Sequence, residues 1–265
     1  MLGAQQNLSA QKLQSLGDKI SAVLNRSMQV ARVYQCGSGG NNPSHFVAET
    51  TTGEYIGLKS SSRGGVANGD EKERLIAELA SALDAPNVCK VSAITIDEIA
   101  ALNGRGVNAI EWLEGGTSLD RLPAATANAL KNDPSAFLRQ YGEWMSFGLL
   151  FGTNDKHSGN WVWSAATSSL SMIDNEDSFQ STCGVQHLYL GIDSASSRVL
   201  LKQVGHGAGN GVELARGLAA MQQKYHDRSA QLQSILGSSS VATFASSWMR
   251  VSAADIAATV FPQLA

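Results

Sequence analysis

Residues 151–179 read FGTNDKHSGNWVWSAATSSLSMIDNEDSF, and the rest of the chain is best read outward from them. Asp155, Lys156, His157 and Asn160 fall within six positions, although only 16% of the 265 residues are charged. Two short β-forming runs follow, WVWS and SLSMIDNED, which read as a hairpin. Asp174 stands at the end of the second strand, fourteen positions after Asn160. A solvated turn with capping Asp and Asn residues accounts for each of these side chains singly. It does not account for their order, nor for the lone IDNEDSF that follows.

Upstream, residues 10–26 place Leu13, Leu16, Ile20, Val23 and Leu24 on one helical face, an amphipathic helix docked on the main body. MQVARVYQCGSGGNNPSHFVAETTTGEYIGLKSS then reads as strand, Gly-rich turn, strand, short turn and a strand ending at Lys59. A loop over 61–70 and a helix over 71–85 come next. NVCKVSAITIDE and VNAIEWLEGG read as strands, and the Gly115–Gly116 pair marks a boundary. Beyond it LPAATANALKND and FLRQYGEWMSFGLLFG are helical. After the 151–179 stretch, strands are expected at 188–194 and 198–204, and helices at 212–236 and 239–262. The fold class is therefore α+β: a strand-rich N-terminal part, then a mainly helical part with a strand pair in its middle. The expected division is 1–28 as a helical extension, 29–114 as one lobe and 115–265 as the other.

Gly37, Gly39 and Gly40 in the first turn allow close backbone approach to an anion, with N–H groups pointing at it. Lys59 is placed to hold phosphate oxygens as a point charge. Glu78, on the 71–85 helix near Leu75 and Leu79, is the expected partner of that lysine. An ordinary hairpin with a surface lysine is the plainer alternative for this part taken alone. Phosphoryl transfer needs a carboxylate near the attacking hydroxyl and oxygen ligands for Mg²⁺. An Asp followed five positions on by Asn, as in Asp155 and Asn160, with a metal-binding Asp one hairpin later, is the spacing of a kinase catalytic loop.

GTNDKHSGNWVW and LSMIDNEDSF resemble the D-R-H-x-x-N loop and following I-D-x-x-x-x-F of the phosphatidylinositol-kinase-like group. That group includes atypical protein kinases related to actin-fragmin kinase and small bacterial effector kinases. The resemblance covers Val30 to Phe179 and is most specific over 150–179. It implies a two-lobed protein-kinase-like fold binding ATP between the lobes. It makes Lys59 a phosphate ligand, Glu78 its partner, Asp155 the catalytic acid/base, and Asn160 and Asp174 the Mg²⁺ ligands. His157 becomes a supporting catalytic-loop residue, and it reads equally as a base in its own right or as an orienter of the loop. The strand 109–113 becomes the hinge, with the backbone of Glu111, Trp112 and Leu113 reading adenine. Three departures stand out. Lys156 replaces the usual Arg, Asn175 and Glu176 replace a Phe-Gly pair, and the chain from about Gln180 matches nothing in the group.

Composition narrows the field further. A formal charge of −3 argues against a general nucleic-acid binder, since phosphate backbones call for a basic surface. Cys36, Cys89 and Cys183 are too few and too scattered for a disulfide framework or a zinc site, which fits a reducing, cytoplasmic setting. No apolar run approaches the ~20 residues of a membrane span, so no integral membrane association is expected. The Ser/Gln-rich opening also suits delivery into a host or target cell by a bacterial secretion machine. The expected protein is a monomeric kinase acting on a protein hydroxyl, with a host protein as one candidate. Ser178–Ser197 contains no Lys or Arg to hold a phosphoinositide headgroup. Transfer of a nucleotide, a lipid acceptor, or an inactive binding module are the alternatives. Two rival constellations are weaker. RVLLKQVGHGAGNG lacks the G-x-G-x-x-G and Gly-Lys-Ser/Thr spacings, and a phosphohydrolase built on His226–Asp227 lacks a second histidine at helical interval.

Overall fold

A computed structural model describes residues 2–36, 45–60, 69–111, 113, 115–153, 158–176, 178–179 and 210–237. The chain divides into two compact units, residues 1–74 with 89–112, and residues 75–88 with 113–265.

The first unit is a six-stranded antiparallel sheet in the order β1-β2-β3-β4-β6-β5. Its strands are β1 (Leu2–Gln5), β2 (Val30–Cys36), β3 (His45–Thr50), β4 (Tyr55–Ser60), β5 (Val91–Ile94) and β6 (Val107–Glu111). Helix α1 (Ala10–Leu24) opens on Ser9, whose hydroxyl accepts from the Lys12 N–H, and closes on Asn25 in the left-handed conformation. Its stripe Leu16, Ile20 and Leu24 is buried with Val33, Phe46, Ala48, Ile56, Leu58, Val107 and Ala109. These strand residues alternate along β2, β3, β4 and β6, so they share one sheet face. Helix α1 thus completes the core of this unit rather than forming a separate extension. Glu98, 6% exposed, ties α1 down by pairing with Lys19 at 2.9 Å. Burial pushes the Glu98 carboxyl up, but hydrogen bonds from Ser15 and Lys19 outweigh it and hold the group below the usual carboxylate range.

Helix α2 (Gly69–Ala82) starts two residues earlier than its sequence pattern predicts. Its stripe Ile76, Leu79 and Ala80, with Leu83 beyond it, lies in the core of the second unit. That unit contains β7 (Gly116–Ser118), α3 (Ala124–Asn132), α4 (Ser135–Leu150), β8 (Trp161–Ser164), β9 (Ser169–Met172), α5 (Asn210–Asp227) and α6 (Ser229–Leu236). The predicted single helix over 212–236 is therefore two, and β7, a three-residue strand beside the glycine pair, went unpredicted. The strands form a sheet in the order β7-β8-β9. The α4 helix is buried from Tyr141 to Leu150. It crosses α5 where two glycines meet. A Cβ on Gly142 would lie 2.3 Å from the Leu214 carbonyl oxygen, and one on Gly217 would lie 1.9 Å from that of Arg139. The end of α2 is held here too. Lys224 donates to the Asp84 carbonyl at 2.8 Å and pairs with Glu143 at 2.7 Å, while Arg228 donates to the Ala82 carbonyl and pairs with Asp84. Cations placed on the last carbonyls of a helix complement its dipole.

The strands expected at 188–194 and 198–204 and the helix expected at 239–262 lie outside the described residues. So does most of the glycine-rich 205–211 segment.

Candidate active site

Candidate residues fall in both units, and each cluster is described within its own unit. In the first, strand register arranges one face of the sheet around Lys59. His45 lies opposite Lys59 across β3 and β4, and Asn108 lies opposite it across β4 and β6. Directly opposed residues share a face, so His45, Lys59 and Asn108 form a polar row. One pleat further along β4 the same face carries Val47, Gly57, Ile110 and Val91 in a second, apolar row. Val47 is buried, and Ile110 and Val91 are half-buried. A flat, partly open apolar strip therefore adjoins a lysine that is only 8% exposed.

The partner of that lysine differs from the expected one. Lys59 Nζ lies 3.2 Å from Glu73 Oε2, and Glu73 is 4% exposed. Glu78 is exposed. Helix phase is the reason. Glu73 precedes Ile76 by three positions and Ala80 by seven, which keeps all three on one stripe. Glu78 is two positions past Ile76, a turn of about 200° that carries it to the opposite face. A charged residue in phase with an apolar stripe is the sequence signal that marks Glu73.

In the second unit a hairpin gathers the candidate metal ligands. Strand β8 pairs with β9 in a register that sets Trp161 opposite Met172. Asn160, at the end of a 3₁₀ turn, immediately precedes Trp161, and its carbonyl accepts from the Ile173 N–H at 2.9 Å. Asn160 and Asp174 thus reach the same end of the hairpin. Asn160 is 5% exposed, and Asp174 is half-buried with φ +58°. That left-handed conformation is uncommon for a residue with a side chain, although Asp tolerates it better than most. Thr153, fully buried, bonds through its N–H to the Gly148 carbonyl and places its hydroxyl 4.0 Å from Met172 Sδ.

The hairpin is itself anchored to α4. Gln140 accepts from the Leu170 N–H at 2.7 Å and donates to the Ser168 carbonyl at 3.0 Å. Trp144 Nε1 donates to the Leu170 carbonyl at 2.8 Å. After Asp174 the chain turns back at once: Ser178 Oγ donates to the Asn175 carbonyl, and the Phe179 N–H donates to the Phe151 carbonyl at 2.8 Å. Asn175, standing where the resembling group has Phe, is buried in this turn.

Asp155 and His157, with Lys156, lie outside the described residues, as do Gly37, Gly39, Gly40 and Trp112. Of the expected hinge, Glu111 closes β6, donates its N–H to the Lys90 carbonyl at 3.0 Å and pairs through its carboxylate with Arg26 at 3.1 Å. Its N–H is therefore engaged in the sheet. Leu113 begins the second unit, and its carbonyl accepts from the Gly116 N–H at 2.9 Å. His226 and Asp227 are exposed at the end of α5. Among the described residues no group of three or more His, Cys, Asp or Glu side chains gathers as a metal site, and no helix is long and apolar enough to cross a membrane.

An antiparallel sheet unit followed by a largely helical unit with an embedded hairpin is a protein-kinase-like fold. The solved structure of the proinflammatory kinase CtkA from Helicobacter pylori matches with a TM-score of 0.50 at 12% identity, over 87% of this chain and 95% of that one. The FAT and kinase domain of CtTel1 aligns with a TM-score of 0.48 at 12% identity, over 89% of this chain and 22% of that one. The first likeness shows the fold and nothing finer, and the second adds nothing to it. No family model and no curated protein matches the sequence.

Proposed function

We propose that this protein is an ATP- and Mg²⁺-dependent phosphotransferase whose acceptor is a protein hydroxyl. The observation that carries the reading is the buried Lys59–Glu73 pair beside the Val47–Gly57–Ile110 strip. A buried ion pair is a poor device for stability, because desolvating two charges offsets most of their attraction. Its placement next to an apolar strip suits a ligand with a flat ring at one end and phosphates at the other. Lys59 then neutralises phosphate charge, and Glu73 keeps its ammonium aimed.

Asn160 and Asp174 fit the metal in donor chemistry, since both offer hard oxygen atoms from one end of a hairpin. Bound there, Mg²⁺ would supply charge neutralisation of the transferring phosphoryl group. Asp155, by its spacing from Asn160, is assigned to receive the proton of the attacking hydroxyl. His157 is assigned to support that loop. The protein acceptor is favoured over a phosphoinositide by the lack of Lys and Arg in Ser178–Ser197. The setting we propose is that of a bacterial effector with a host protein as substrate, a reading that rests on the resemblance of residues 150–179 to a group that includes small bacterial effector kinases.

Parallel incubations with γ-labelled and α-labelled ATP test the reaction class, with host-cell extract and phosphoinositide vesicles as acceptors. The expected result is γ label on a protein from the extract and unlabelled lipid. Label from the α position means nucleotide transfer. Lipid as the sole product overturns the acceptor assignment, and no label in any fraction leaves a nucleotide-binding module.

A further inference from the structure

We propose that Asn108 is a positioning residue for Glu73, setting the rotation of α2 on the sheet so that the carboxylate meets Lys59. The proposal rests on the phosphotransferase reading insofar as it concerns nucleotide affinity. Asn108 is fully buried in β6, between Val107 and Ala109, where an apolar side chain is the ordinary occupant of a central strand. Register sets it directly opposite Lys59 and on the same face. Both ends of its amide are used. Nδ2 donates to the Asp70 carbonyl at 3.0 Å, and Oδ1 accepts from Arg74 Nη1 at 2.7 Å. The same Arg74 nitrogen lies 3.1 Å from Asp70 Oδ2, closing the clasp.

Asp70 and Arg74 bracket Glu73 on α2, three positions before it and one after. One attachment is to the helix backbone and the other to a side chain a turn later, so together they resist both sliding and rolling. The tolerance is narrow. Helix side chains end about 5–6 Å from the axis, so a roll of 20° displaces a tip by roughly 2 Å. That displacement is enough to open a 3.2 Å ion pair. The clasp leaves Glu73 itself untouched; it acts through the helix.

The test uses the full chain with Asn108→Leu, Glu73→Gln and the double variant, and two readouts. The first is the affinity for Mg²⁺ and a fluorescent ATP analogue. The second needs no nucleotide: the acylation rate of Lys59 by a small activated ester, followed by peptide mass spectrometry. Asn108→Leu should weaken nucleotide binding about tenfold, the order of one lost charge-assisted contact. It should also speed Lys59 acylation as Glu73→Gln does. In the Glu73→Gln background the same substitution should change neither readout further, while still lowering the melting temperature. Equal losses of affinity in both backgrounds, or unchanged Lys59 acylation in Asn108→Leu, overturn the proposal. A wild-type protein that binds no nucleotide but shows the acylation pattern sinks the phosphotransferase reading and keeps the clasp. Should Asn108→Leu fail to fold, Asn108→Thr serves instead: it suits a strand, and its hydroxyl is too short to bridge Asp70 and Arg74.

Discussion

The two candidate clusters are built by opposite means. Asn160 and Asp174 come together through one hairpin, fourteen positions apart in sequence and fixed by the register of β8 on β9. Lys59 and Asn108 are paired by the register of β4 on β6, but Glu73 comes from a helix, and only tertiary packing brings it to them. A hairpin register is a local property, and slipping it by one residue turns every side chain to the wrong face. A helix against a sheet can roll by degrees. The first cluster is thus all-or-none, and the placement of Glu73 in the second is tunable.

Substitutions can break that contrast. The largest effect is expected from Asp174→Asn, which removes a ligand charge while leaving the hairpin bonds in place. Phosphotransfer should fall at least about a hundredfold with little change in melting temperature. Near-normal turnover in that variant would remove the hairpin end from the site.

A graded series should follow in the other cluster. Lys59→Met keeps the apolar stem and deletes the charge, and should lower kcat/KM by roughly a hundredfold. Glu73→Gln should cost about tenfold, because it disturbs only the aim of the lysine. Glu78→Gln, on the exposed face, should change nothing. Equal effects at positions 73 and 78 would show that helix phase does not select the partner.

The smallest effect sharpens the comparison with a second Lys–Glu pair, Lys19 with Glu98, of which only the glutamate is buried and which has no place in the site. Glu98→Gln should leave turnover unchanged and lower the melting temperature at pH 7 by about 3 °C, the scale of a kcal/mol in a chain of this size. The native carboxyl titrates below its unfolded value of about 4.3. Its stabilisation is therefore present above that value and lost as pH falls through the native one. Melting curves of wild type and variant should converge once the pH has fallen below the native value. A gap that persists there would show that the pairing is not what Glu98 contributes.

What was legible in the sequence follows the same division. The α1 stripe, the β2–β3–β4 meander and the β8–β9 hairpin were all readable, because each is written as a local period. So was the approach of Asn160 to Asp174. The partner of Lys59 is not legible from proximity to Leu75 and Leu79, because the phase set by Ile76 turns Glu73 inward and Glu78 to the exposed face. Asn108 passed unnoticed because a single polar residue in VNAIE disturbs the strand pattern too little to signal a clasp. Strand β1 carries no alternation to read, and among the described residues it pairs with β2 alone. The break between α5 and α6 has no Gly or Pro to mark it.

The cations that finish α2 have a consequence for how the chain is made. The Asp84 carbonyl waits for Lys224, 140 positions later, and the Ala82 carbonyl waits for Arg228, 146 positions later. At a synthesis rate of about 5–20 residues per second, that interval is roughly 7 to 30 s, plus passage through the exit tunnel. Throughout it the end of the helix carrying Glu73 rests on local bonds alone, from the Asp84 N–H to the Ser81 carbonyl and from the Ala85 N–H to the Ala80 carbonyl, with Asp84 in the left-handed conformation. Residues 75–88 must also remain without α5 until it emerges. The first sheet can close early in translation, but the end of α2 belongs to a later stage of folding, and a chaperone that binds this nascent chain should meet it there.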